Sequence, residues 1–147
     1  MRTMAGIFAV ALVAIFALNA IADDTASSLE GLKCPISKQP INPEKFVEHN
    51  GGKVYFCCGN CPKAFKTDNE DHVAFANHQL AASGQAAQAK CPISGGNAKD
   101  DQTAEVEGVT VKFCCKNCKG KVNDAEGAEK VKLVFSDGAF KKGYTVE

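Results

Sequence analysis

The sequence predicts an α+β protein of two tandem small modules, each a β-hairpin followed by a helix. Three observations lead to this prediction: a 57-residue repeat, a hairpin turn in each copy, and cysteines at identical spacing in both copies. Each position in the second copy lies 57 residues after its counterpart, as Cys91 does after Cys34. The chain is therefore a tandem duplication of one four-cysteine unit. Its eight cysteines are Cys34, Cys57, Cys58 and Cys61 in the first copy and Cys91, Cys114, Cys115 and Cys118 in the second.

The first module, residues 33–80, shows a hairpin and two helices. Apolar and polar residues alternate over 45–49 and 53–57, and Asn50 and Gly51 between them favour a tight turn with positive φ. Pro62 suits the first turn of a short helix beginning near residue 60. A second helix, capped by Asp68 or Asn69, is predicted to run to about residue 82.

The second module, residues 90–147, repeats this plan. Strands are predicted over 103–107 and 109–114 across Gly108, followed by helices over 117–122 and 128–135 and one short strand over 144–146. Residues 81–89 are rich in Ala, Ser, Gly and Gln, which is typical of a linker. Because each module is too small to bury much apolar surface alone, the two are expected to pack together about a pseudo-two-fold axis.

The N-terminal residues 1–22 have the layout of a secretory signal peptide. Arg2 precedes an apolar run over 7–18, and a small-x-small cleavage site ends at Ala22. We expect cleavage after Ala22, a flexible lead-in over 23–32, and an exported protein of the periplasm or the outside medium. An uncleaved anchor is the alternative, but the apolar run is shorter than the roughly 20 residues of a spanning helix. No stable membrane insertion is expected after cleavage.

Composition limits the partners and leaves two cysteine chemistries open. The formal net charge is zero, so no basic excess is present to neutralise nucleic-acid phosphates. The sequence indicates no particular protein partner. Domains this small usually need disulfides or a metal, and export would permit disulfides. A disulfide-stapled interaction module, with three possible pairings per copy, is therefore the alternative to metal binding.

The cysteine spacing favours a metal site in each module. Cys34 and Cys57 have 22 residues between them, and Cys57 and Cys61 have three. A strand that ends where a helix starts brings the thiols of Cys57 and Cys61 together. Cys34, in a turn before the hairpin (the knuckle), then approaches them from the other side of the hairpin. This layout is typical of a zinc ribbon or treble clef, and thiolates suit zinc or cuprous copper. We predict up to one zinc or copper ion per module, with all eight cysteines as candidate ligands.

The fourth ligand of each site has alternatives. Cys58 could face away from the ion, as could Cys115, and an outside group would then complete the set. His49 and His72 could supply that group in the first copy. Their counterparts are Val106 and Glu129, so both histidines are expected to be surface residues instead.

These motifs resemble the YHS and TRASH domains, which are small treble-clef-like metal-binding modules. The resemblance covers roughly residues 33–75 and 90–125. It implies roles in heavy-metal sensing, trafficking or resistance, and it carries the family ligands to the first, second and fourth cysteines of each copy. The chain departs from the family pattern at Cys58 and Cys115, and at Val122 where the first copy has Phe65. The matched positions are 34–37, 51–57, Cys61 and Phe65 in the first copy and 91–94, Gly108, Val111, 113–114 and Cys118 in the second.

A redox function is a further alternative. Residues 58–61 and 115–118 each form a C-x-x-C motif at a helix start, a position that lowers a thiol pKa. Each repeat is too short for the βαβ core of a thioredoxin, and such an enzyme has no evident need for Cys34 and Cys91. No other catalytic constellation is present, so we expect a protein that is not an enzyme.

Overall fold

The computed structural model describes residues 29–147. The expected signal peptide, its cleavage after Ala22 and the first part of the lead-in lie outside the described residues. Leu32, at the end of the expected lead-in, is buried. The architecture is α+β, and each module is a hairpin followed by helices, as predicted.

In the first module, strands β1 (Asn42–His49) and β2 (Gly52–Phe56) form an antiparallel hairpin. The short helix α1 (Cys61–Ala64) follows, with Pro62 in its first turn. Helix α2 (Glu70–Ala82) begins after Asn69, whose side chain accepts hydrogen bonds from the backbone N–H of Asp71 and His72. The predicted cap and end of this helix are confirmed.

The second module has the same order of elements. Strands β4 (Lys99–Val106) and β5 (Val109–Phe113) form its hairpin, and helices α3 (Lys116–Asn123) and α4 (Gly127–Phe135) follow. Helix α5 (Asp137–Gly143) was not predicted, and the terminal strand β6 (Tyr144–Val146) was.

The two hairpins match in turn and in register. Asn50 and Glu107 begin the two turns at φ values of 49° and 48°, and Gly51 and Gly108 follow at 88° and 82°. Two consecutive positive φ values define the type I′ turn that suits a two-residue hairpin. Each hairpin also has an irregularity at the same place, between 42 and 46 in the first and between 99 and 103 in the second.

A pseudo-two-fold axis relates the modules. Helices α2 and α4 begin at equivalent positions, 70 and 127, and pack against each other. Strand β3 (Ala86–Gln88) pairs with β6, Ala87 opposite Thr145 and Gln88 opposite Tyr144. The counterpart of Ala87 is Tyr144 and that of Gln88 is Thr145, so the symmetry operation converts the first pair into the second. The segment expected as a linker therefore contains a strand on the axis.

One hydrophobic core extends across both modules. Its largest fully buried side chains are Phe56 of the first module and Phe113 and Phe135 of the second. Cys34, Cys61, Cys91 and Cys118 belong to the same core, so the sulfur clusters are anchored in it. In the described part of the chain, no helix combines the length and the apolar character needed to cross a membrane.

Candidate metal centre

Three cysteines of the first module meet at one point. Cys34 lies in the knuckle that precedes β1, Cys57 directly follows β2, and Cys61 is the first residue of α1. Their Sγ atoms all lie within 4.8 Å of one another, and those of Cys57 and Cys61 are 3.5 Å apart. Cys57 and Cys61 are close in sequence, whereas Cys34 is brought to them by the fold, because Cys34 and Cys61 both belong to the shared core.

The second module repeats this cluster. Cys91, Cys114 and Cys118 also have Sγ atoms within 4.8 Å of one another, and those of Cys114 and Cys118 are 3.6 Å apart. The described residues thus contain two cysteine clusters whose geometry is compatible with metal binding.

The two knuckles share one backbone geometry. The N–H of Cys34 donates to the carbonyl of Gln39 at 2.8 Å, and the N–H of Lys38 donates back to the carbonyl of Cys34 at 2.9 Å. The same pair of bonds joins Cys91 to Gly96 and Gly95, at 2.8 and 2.7 Å. Lys38 and Gly95 turn the chain at φ values of 62° and 75°. This closed turn fixes the direction of the knuckle cysteine.

The sulfur spacing suits ligands of one ion better than bonded partners. A tetrahedral zinc site with bonds of about 2.3 Å places its sulfurs about 3.8 Å apart. A disulfide needs sulfurs at about 2.05 Å. The observed distances of 3.5 and 3.6 Å are close to the first value. All eight cysteines are free thiols in this structure.

Cys58 and Cys115 lie beside the clusters. The Sγ atom of Cys58 is 3.7 Å from that of Cys61, and the Sγ atom of Cys115 is 3.6 Å from that of Cys114. Neither belongs to the groups in which every sulfur is within 4.8 Å of every other. Both are exposed to solvent. Of the eight sequence-predicted ligands, six are thus gathered into two triads, and two occupy an adjacent outer position.

Each cluster combines a low-pKa thiol with a high-pKa thiol. Burial would raise the pKa of Cys34, but hydrogen bonds from the hydroxyl and backbone N–H of Ser37 outweigh it and lower the pKa to about 7. Burial, together with hydrogen bonding to Cys57 and Cys58, raises the pKa of Cys61 to about 12. One thiolate near neutral pH gives the cluster the negative charge that a cation needs.

The second cluster has the same electrostatics. Burial would raise the pKa of Cys91, but hydrogen bonds from the backbone and hydroxyl of Ser94 bring it down to about 7. Burial and the neighbouring thiols raise the pKa of Cys118 to about 12.

Two serines support the clusters in a way that the sequence analysis missed. Ser37 and Ser94 accept hydrogen bonds within their turns, from the backbone N–H of Gln39 and of Gly96. In addition, each hydroxyl lies 3.1 Å from the Sγ of the second cysteine of its triad, Cys57 or Cys114. Their occurrence three residues after the knuckle cysteine in both copies was the available signal.

The two histidines lie apart from the clusters but are not surface residues as expected. Both are half-buried against Phe65, with ring centroids 5.4 Å from it for His49 and 6.3 Å for His72. Among the described residues, both candidate ligand groups consist of cysteines alone. The histidines therefore pack an aromatic cluster in the first module.

Comparisons with models of protein families, with curated proteins and with solved structures find no match to this chain.

Proposed function

We propose that the chain is an exported metal-binding protein with two similar thiolate sites, each holding one zinc or cuprous copper ion. Its role is to bind the ion, and not to catalyse a reaction. The observation that carries the proposal is the recurrence of one sulfur triad in both modules, Cys34, Cys57 and Cys61 in the first and Cys91, Cys114 and Cys118 in the second.

Three further features support the proposal. Both knuckles and both serine contacts are reproduced in the two modules, so the surroundings of the sulfurs are duplicated along with the sulfurs. The donor set is soft, and soft thiolates favour zinc and cuprous copper over calcium and magnesium. The signal-peptide layout and the resemblance to the YHS and TRASH modules point to handling of heavy metals outside the cytosol.

The direct test is metal content. The full chain is expressed with its own N-terminal segment, purified from the exported fraction without chelator, and analysed by plasma mass spectrometry. We expect two equivalents of zinc or copper per chain. Bound zinc would indicate a structural ion and bound copper a transported one, so the element found separates structural zinc from copper handling.

Serine variants locate the ions. Cys34→Ser should lose one equivalent and Cys91→Ser the other, since each leaves two sulfurs in its triad. The intact site of each variant is the control for the altered one. Unchanged stoichiometry in both variants would reject the proposal. So would a folded, metal-free chain whose non-reduced mass is lower by two hydrogens per cysteine pair, which would favour the disulfide-stapled module.

A further inference from the structure

The four thiols of each module differ in exposure, and the order is the same in both. Cys34 is fully buried, Cys61 is 8% exposed, Cys57 is half-buried and Cys58 is exposed. In the second module the corresponding order is Cys91, Cys118, Cys114 and Cys115, with 0% and 8% exposure for the first two. An ion held by these sulfurs would thus be shielded from solvent at the buried thiols and accessible to an incoming molecule at the exposed one.

The chain around the outer thiols is also uncovered. Gly59 and Asn60 are exposed together with Cys58, and a Cβ added to Gly59 would meet nothing within 4 Å. Lys116 and Asn117 are likewise exposed beside Cys115. A purely structural zinc site is normally closed by four protein ligands, whereas a site that must admit another ligand keeps one position open. Each of these sites combines three enclosed or half-buried sulfurs with a fourth, exposed thiol, so the fourth position is the one that another ligand could take.

We propose that Cys58 and Cys115 are exchangeable fourth ligands, through which a thiol-bearing acceptor takes the ion from each site. This inference rests on the proposed metal binding. The six triad cysteines hold the ion, and the outer thiolate closes the coordination when no acceptor is present. The partner is a protein or low-mass molecule with an accessible thiol, because a thiolate is the ligand that can replace another thiolate on a soft ion.

The exchange conserves charge and oxidation state. The acceptor thiol gives up its proton and forms a bond from its sulfur to the metal, while the bond from the metal to Cys58 Sγ breaks. The released Cys58 thiolate takes up a proton, and the metal keeps its oxidation state throughout. The buried Cys34 cannot leave first in this way because its position is closed to an incoming molecule. Repetition of the step with further acceptor thiols moves the ion out of the triad.

The first test uses Cd²⁺, whose thiolate charge-transfer absorption counts bound sulfurs. The double variant Cys58→Ser/Cys115→Ser should still bind two ions, with absorbance per ion reduced by about a quarter because three of four sulfurs remain. Adding 2-mercaptoethanol should restore the absorbance, and native mass spectrometry should find one added thiol per site.

The matched control is Cys34→Ser/Cys91→Ser, which removes the buried thiols. Since each of these substitutions is expected to release the ion of its module, the control should bind no Cd²⁺. Adding 2-mercaptoethanol should not restore binding, because nothing can enter the enclosed positions. The inference is overturned if the outer-thiol variant binds no Cd²⁺, if its absorbance per ion is unchanged, or if the control is restored equally well. Failure of the proposed function would look different, because the wild-type chain itself would then bind no Cd²⁺.

The second test follows the transfer of Cd²⁺ from the wild-type chain to dithiothreitol. The initial rate should rise in proportion to the acceptor concentration, as expected when the acceptor binds the metal before the outer thiol leaves. A rate independent of acceptor concentration would mean that the ion leaves first, which would contradict exchange through Cys58 and Cys115.

Discussion

His78 and Phe135 occupy equivalent positions in the two repeats and pack edge to face, with ring centroids 5.1 Å apart and an interplanar angle of 88°. The pseudo-two-fold axis therefore passes between them. The two sides of this contact differ in chemistry, because His78 is flanked by Asn77 and Gln79, whose counterparts beside Phe135 are Val134 and Ser136. The two repeats therefore contribute different side chains to the same place on the axis, His78 from the first and Phe135 from the second.

The polar side of the contact connects the two modules. Asn77 Nδ2 donates to the carbonyl of Phe135 at 2.9 Å, and His78 Nε2 lies 3.0 Å from the carbonyl of Glu107 and 3.3 Å from that of Val106. Because both His78 contacts are to carbonyl oxygens, Nε2 must carry the proton and donate. Helix α2 thus fixes the turn of the second hairpin, whose strand β5 leads to Cys114.

A first prediction concerns acid sensitivity. Burial lowers the pKa of His78 below its usual 6.5, and the carbonyls of Glu107 and Val106 only partly offset this effect. The unfolded chain therefore takes up a proton near pH 6.5 that the folded chain refuses. The stability present above that pH is lost as pH falls through the folded pKa. In NMR titration we expect the His78 ring to titrate below 6.5, with its signal assigned by its absence in His78→Gln.

The same variant tests the link to stability. Between about pH 5 and 8, the wild-type free energy of unfolding should fall more steeply toward acid than that of His78→Gln, which has no titrating group at this position. Equal slopes, or a His78 pKa at or above 6.5, would contradict this account.

How much the sequence could predict depends on the range of the interactions. The hairpin turns and α2 were predicted almost to the residue because their signals are local: Asn50 and Gly51 favour the turn, and Asn69 caps the helix. The first strand of each hairpin begins earlier than predicted, at 42 instead of 45 and at 99 instead of 103. Helix α5 was missed because Gly138 and Gly143 disfavour a helix that packing against α4 and α2 stabilises.

The remaining differences have long-range causes. Strand β3 lacks β-branched residues, and it is a strand only because β6, more than 50 residues away, pairs with it. At the sites, spacing alone left open whether Cys58 and Cys115 join the other thiols, whereas the family resemblance implied the first, second and fourth cysteines of each copy, which are the ones that gather. Cys57 and Cys58 are adjacent in sequence, and only the packing of β2 and α1 decides that Cys57 joins the triad.

A second prediction concerns a buried glutamine that fixes the first hairpin. Gln79 is 2% exposed; its Oε1 accepts from the N–H of Tyr55 at 2.6 Å, and its Nε2 donates to the carbonyls of Tyr55 and Lys33. Gln79→Leu would leave these groups without partners. Since each buried unpaired group costs about 1–3 kcal/mol, we expect a loss of at least about 2 kcal/mol in urea unfolding.

The chain contains a matched control for this variant. Gln88 makes the same pair of bonds to the backbone of Lys112, the counterpart of Tyr55, but at a half-exposed position. Water can replace its amide, so Gln88→Leu should cost less than about 1 kcal/mol. Equal losses in the two variants would show that burial does not set the cost.

A third prediction concerns the turn of the second hairpin. Glu107 adopts a φ of 48°, which is unfavourable for a residue with a long side chain, whereas Asn50 meets the same requirement with a residue that tolerates it. Glu107→Asn should therefore stabilise the chain by about 1 kcal/mol in urea unfolding. The reciprocal change, Asn50→Glu, should destabilise it, and more strongly, because the bond from Asn50 Nδ2 to Asn77 Oδ1 is also lost. Destabilisation by Glu107→Asn would contradict the argument from backbone strain.

The last prediction separates the two metal sites through their serines. Ser37 touches only the first cluster and Ser94 only the second, each through a hydroxyl 3.1 Å from a sulfur. A group that hydrogen-bonds to a ligand orients it and tunes its basicity, and its loss typically weakens metal binding about 10- to 100-fold. Ser37→Ala should therefore weaken one of two sites by that factor in competition with a chromophoric chelator, while the other keeps its affinity. Ser94→Ala should weaken the other site, and the double variant both. If Ser37→Ala changed the affinities of both sites equally, the hydroxyl would act through overall folding and not through its contact with Cys57. Each single variant therefore tests whether the serine acts only on its own sulfur cluster.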